Sequence, residues 1–103
     1  MTKVCTIIVL SVVIVACSAN KFLPADQQLT QMQQKVPGIT VENARAGYKL
    51  YSVKCAGCHQ LYRPDKYTIA QWNNILVKMF PKAKVSSDEQ IKLIRDYLHA
   101  LSK

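Results

Sequence analysis

Cys55-Ala56-Gly57-Cys58-His59 is the stretch from which the rest of the chain is read. Two thiols three positions apart can each add across a vinyl group of a haem, and the histidine that follows can bring an imidazole nitrogen to the iron. The spacing is that of a c-type haem attachment signature. Two plainer readings of a Cys-X-X-Cys pair are a redox dithiol and half of a zinc site. A thioredoxin-like dithiol needs strands alternating with helices around it, and no strand pattern occurs in the chain. A zinc site needs two further ligands, and the other candidates are His99 and two cysteines, Cys5 and Cys17, at the apolar start of the chain. The expectation is one covalently held haem c, with Cys55 and Cys58 as thioether positions and His59 as a ligand to its iron.

Residues 1–16 read as a bacterial export signal. Lys3 supplies the positive start, and Ile7 to Ala16 is apolar apart from Ser11. The run is shorter than the roughly 20 residues that cross a bilayer as a helix. Ile14-Val15-Ala16-Cys17 resembles the lipobox of bacterial lipoproteins, which would make Cys17 the first mature residue and the site of lipidation. A cut after Ala19 and an uncleaved short membrane helix are the alternatives. Several acyl chains anchor a protein stably where a single one does not. The expected location is the periplasm or the outer face of a bacterial membrane, with the chain held there by lipid.

Charge narrows the partners. Fourteen basic side chains stand against six acidic ones, a formal +8 that falls by one when Lys3 leaves with the signal. Export argues against nucleic acid, and the basic residues are scattered rather than gathered in a dense run. What remains is a solvated surface or docking to an acidic redox partner protein. A monomer is expected. With residues 1–16 removed, the chain is too short for a generous apolar core, and a covalently bound macrocycle would serve as its staple.

The mature chain divides into a tether, residues 17–39, and a helical domain, residues 40–103. The tether is polar and glutamine-rich, with a thin stripe of Leu29, Met32 and Val36, and closes on the turn signal Val36-Pro37-Gly38. If extended, it would let the domain stand several tens of ångströms from the membrane. Thr40 caps a helix that runs to about Cys55 and stacks Gly47, Tyr51 and Cys55 on one face. A glycine inside a helix costs about 1 kcal/mol relative to alanine, and close approach of a second helix would compensate. Between Gln60 and Tyr67 lies a loop bent at Pro64, where Arg63 or Lys66 could pair with a haem propionate or stay solvated. Thr68-Ile69-Ala70-Gln71 is a capping box opening a second helix, with the stripe Ile69, Trp72, Ile75, Leu76 and Met79. Pro81 should stop that helix near Phe80. Ser86-Ser87-Asp88-Glu89 reads as a further capping box, for a helix with the stripe Ile91, Ile94, Leu98 and Leu101 and with Tyr97 at its margin. The fold class is all-α, three or more helices around one haem.

A haem held by one histidine has a sixth position that decides its chemistry. His99 lies about 130° from the centre of its helix's apolar stripe, at 100° per residue, and points to solvent. Met32 falls in the tether. Met79 remains, and periodicity leaves it either as a thioether ligand or as core packing.

Gly47-X-X-X-Tyr51-X-X-X-Cys55-X-X-Cys58-His59 resembles the first helix and haem motif of class I cytochromes c. Ile94-X-X-Tyr97 is similar to the aliphatic and aromatic pair of that family's last helix, which crosses the glycine and aromatic of the first. The resemblance covers about Val41 to Leu101. It implies a small cytochrome c-like fold, Met79 as the second axial ligand, Trp72 as a propionate contact, and single-electron transfer rather than enzyme catalysis. The alternative within haem chemistry is an open sixth site, as in a gas sensor or a peroxidase.

Overall fold

The computed structural model describes residues 22–56 and 60–103. Among them the secondary structure is entirely helical: α1 spans Leu29–Lys35, α2 Val41–Lys54, α3 Ile69–Lys82 and α4 Asp88–Ala100. Short 3₁₀ turns at Asp26–Gln28 and Pro64–Lys66 complete it.

The starts of α2, α3 and α4 are each held by a side chain where an orphan backbone N–H needs an acceptor. Thr40 Oγ1 accepts from the Asn43 N–H at 3.0 Å. Both halves of the box at Thr68 and Gln71 form, at 3.2 and 3.0 Å. At α4 the cap is Ser87, which accepts from Gln90 N–H, one residue later than Ser86. Asp88 and Glu89 thereby fall in the first turn, where the positive end of the helix dipole favours them.

Helix α3 does not stop at Phe80. It runs through Pro81 to Lys82 and closes in a Schellman motif. The Val85 N–H reaches Phe80 O at 3.0 Å, the Lys84 N–H reaches Pro81 O at 3.2 Å, and Lys84 is left-handed at φ 57°. Pro81 is tolerated because it stands in the last turn, and the carbonyl it leaves without a helical donor belongs to Val77, an exposed residue.

Helix α4 is the element the others meet: α1, α2, α3 and the Pro64–Lys66 turn all pack on it. Where it crosses α2 the backbones touch. A Cβ on Gly47 would lie 2.1 Å from Leu93 O and 2.5 Å from the Tyr97 Cβ, so this glycine is required by the crossing itself. Tyr97 is wholly buried at that point, at the centre of the helix face rather than its margin. The larger core joins Tyr51, Cys55, Trp72, Leu76, Val85, Ile94, Tyr97 and Leu98.

A second core of Met32, Ile39, Ala44 and Ala100 changes the reading of the segment expected as a tether. Met32 is 0% exposed and Pro24 is also fully buried. The Tyr97 hydroxyl donates to Phe22 O, and Lys35 Nζ donates to Ser102 O. From Phe22 onward, then, this segment is laid against α4. The thin apolar stripe suffices because small Ala44 and Ala100 lie opposite it. The turn at Val36-Pro37-Gly38-Ile39 forms with Gly38 at φ 82° and the Ile39 N–H on Val36 O.

Candidate functional site

The C-terminal end of α2 brings Cys55 into the larger core, 8% exposed. One turn earlier Tyr51 crosses to the following loop, its hydroxyl donating to Tyr62 O at 2.7 Å. Burial, reinforced by the neighbouring Cys55, pushes the Tyr51 phenol well above the ordinary tyrosine range. It therefore stays a neutral donor and pins Tyr62 to the helix.

The other wall is α3. Trp72, Ile75, Leu76 and Met79 face Tyr51, Cys55 and Tyr62 across a cavity of about 170 Å³. The aliphatic and aromatic walls come from the stripe legible in the sequence, and they bring two sulfur-bearing residues, Cys55 and Met79, to one cavity. The chemistry of this set fits a haem. A cysteine is available for thioether attachment, a thioether can act as a soft neutral ligand, and apolar rings and branched chains can cover a macrocycle. In size the cavity falls below the roughly 300–1,000 Å³ of pockets that take whole cofactors or drug-sized ligands. Seating a macrocycle would need this cavity to be wider than it is here. Cys58, His59 and the lipidation candidate Cys17 lie outside the described residues.

Trp72 is 1% exposed and its Nε1–H donates to Pro64 O at 2.8 Å. This single indole donor makes Trp72 a clamp between α3 and the Pro64–Lys66 turn. Arg63 turns its guanidinium to Asp65 in a two-pronged pair, at 3.0 and 2.7 Å, and this partner raises its pKa. Lys66 Nζ sits 4.4 Å from the centre of the Tyr62 ring and 5.5 Å from that of Tyr67.

Beside the cavity, and sharing Tyr62 with it, is a wider cleft of about 500 Å³ lined by Phe22, Gln60, Leu61, Tyr62, Arg63, Asp65 and Lys66. Phe22 is the residue that sequence reasoning missed. Followed by Leu23 and Pro24 and then by a polar stretch, it carried no periodic signal. Tyr67 was also undervalued: its ring meets those of Tyr62 and Trp72 edge-on at 5.7 and 5.1 Å.

His99 stays away from the cavity, as its wheel position indicates, but it is half-buried rather than solvated. Its Nε2–H donates to Asn73 Oδ1 at 2.7 Å, bridging α4 to α3. Burial first, then the Arg95 charge, lowers its pKa, with Asp96 opposing. Met32 is likewise remote, in the second core. Among the described residues no group of three or more His, Cys, Asp or Glu side chains could hold a metal ion, and no helix is long and apolar enough to cross a membrane. No protein-family model, curated protein or solved structure matches the chain.

Proposed function

We propose that the chain is a membrane-tethered monohaem cytochrome c with a small cytochrome c-like fold, passing single electrons between redox partner proteins outside the cytoplasm. The observation that carries this reading is the meeting of Cys55, first residue of the attachment motif, with Met79, 24 positions later, at one apolar cavity. The glycine-to-tyrosine crossing of α2 and α4 supports it independently.

Bound haem supplies a one-electron ferrous–ferric couple. Cys55 and Cys58 would hold it covalently, and His59 and Met79 would supply ligands to its iron. The chain's own contribution is positional. Tyr51 and Trp72 fix the loop after the motif through Tyr62 O and Pro64 O. Ile75 and Leu76 keep water from the Met79 side. Exclusion of water and a thioether ligand both favour the reduced state, which puts the carrier on the high-potential side of an electron-transfer chain. The basic balance suits an acidic docking surface on the partner.

The sixth ligand is tested on the ferric protein. The near-infrared methionine-to-iron charge-transfer band is expected, and Met79→Ala should abolish it while leaving the haem covalently attached. Slow carbon monoxide binding to the ferrous protein at neutral pH is the matching result. Rapid binding would replace the carrier with an open-site haem protein of the gas-sensor or peroxidase kind.

A further inference from the structure

The position of Phe22 says how the domain stands on its membrane. We infer that the cleft of Phe22, Leu61, Tyr62, Arg63 and Lys66 is a docking surface for anionic phospholipid headgroups, held there by a leash too short to let go. The inference rests on the reading of Cys17 as the anchored residue.

Two facts carry it. First, the packed structure begins immediately after the anchor. Phe22 packs on the larger core, its carbonyl accepts from the Tyr97 hydroxyl, Pro24 is fully buried, and Asp26 pairs with Arg45 at 3.3 Å. Only five positions separate Cys17 from Phe22. At no more than about 3.6 Å per residue the span is at most about 18 Å. The first packed residue therefore stays within about 18 Å of the anchored residue, and the side of the domain on which Phe22 lies is the side turned toward lipid.

Second, that side has the right chemistry. Phe22 lines the cleft with Arg63 and Lys66. Leu23, next along, is 43% exposed although large and apolar, and Lys21 precedes Phe22 in the sequence. Arg63 and Lys66 outnumber Asp65, and the lysine is poised over the Tyr62 and Tyr67 rings rather than paired with a carboxylate. An apolar residue beside basic ones at an interface is the pattern that binds anionic headgroups. Because Tyr62 belongs to both cleft and cavity, the candidate haem site is carried at headgroup level, facing partners within or upon the same membrane.

The test is amine acetylation of the full chain in vesicles containing anionic phospholipid, read by peptide mass spectrometry as the rate at Lys66 relative to Lys82. Lys82 lies ten residues along α3 from Trp72, about 15 Å by helical rise, and serves as the internal reference. The ratio should be several-fold lower in vesicles than after release into detergent. A Gly-Ser insertion of about fifteen residues after Ala19 should bring the vesicle ratio up to the detergent value. An anchored chain with equal ratios in vesicles and detergent overturns the docking surface alone. A ratio that stays low with the insertion overturns the leash. A chain that leaves the membrane in an alkaline carbonate wash overturns the anchor itself, and the proposal with it.

Discussion

Lys84 holds a conformation that its side chain opposes. It is the left-handed residue of the Schellman motif that closes α3, at φ 57°, where the absence of a Cβ makes glycine the usual occupant. Left-handed geometry costs an ordinary residue about 1–2 kcal/mol. Part of that is offset by the larger unfolded-state entropy of glycine. Lys84→Gly is expected to stabilise the protein by up to about 1 kcal/mol, seen as a rise of several degrees in Tm for a domain of this size. A fall in Tm would show that the side chain contributes more than the backbone strain removes.

His99 makes a second prediction at this scale, one of sign. Its folded pKa lies below the ordinary 6.5, so the unfolded chain takes up the proton more readily. The stability contributed by the neutral ring is present above about pH 6.5 and is lost as pH falls through the lowered folded value. His99→Gln keeps a donor for Asn73 but cannot titrate. Thermal unfolding between about pH 7.5 and 5 should therefore cost the wild type more than this variant. Equal losses would place the ring in solvent-like surroundings.

Two glycines divide the next scale. Gly47 and Gly38 both resist alanine, for unrelated reasons. At Gly47 the added methyl group meets the backbone of Leu93 and the Cβ of Tyr97, and neither can swing aside. The α2–α4 crossing has to open, at a cost of about 1–3 kcal/mol or more. At Gly38 nothing lies within 4 Å, and the penalty is that of φ 82° alone, about 1–2 kcal/mol. Denaturant titration separates them. Gly47→Ala should also weaken the ring contacts of Tyr97, edge-on with Tyr48 and tilted with Tyr51, a change visible in near-ultraviolet dichroism, whereas Gly38→Ala should leave that signal intact.

The helices were legible because their signals are local: Thr40, the Thr68–Gln71 box and the stripe from Ile69 to Met79 all sit where the sequence places them. The end of α3 was not. A proline rule that looks one residue back cannot see that Pro81 falls in a last turn closed by Phe80, Lys84 and Val85. The cap of α4 slipped by one because Ser86 and Ser87 offer the same chemistry. A wheel puts Tyr97 at the margin because a hydroxyl counts as polar there, while in the fold it reaches over to the Phe22 carbonyl.

For the whole molecule, what the sequence concealed was the reach of its start. Residues 22–39 carry too few apolar side chains to announce a core. Their partners, Ala44 and Ala100, are small residues on helices whose main stripes point elsewhere. The pairing is therefore tertiary, and a polar stretch that read as a spacer is part of the body. The cavity was half legible: Trp72, Ile75, Leu76 and Met79 came from period, and Cys55 from its motif. Tyr62 required the hydrogen bond from Tyr51 to bring it in. The hydrogen bonds of Trp72 to Pro64 O and of Arg63 to Asp65 were not legible for a similar reason, since a wheel shows which way a donor faces but not the acceptor that meets it.

The central claim is a covalent haem on Cys55 and Cys58, and the most direct test joins a pyridine haemochrome spectrum to the intact mass of the protein purified from an exporting bacterial host. The account predicts one haem per chain retained after denaturation, with the band position of two saturated vinyl groups and a mass increase of one haem. A colourless chain, or a haem extracted by acidified organic solvent, would contradict it.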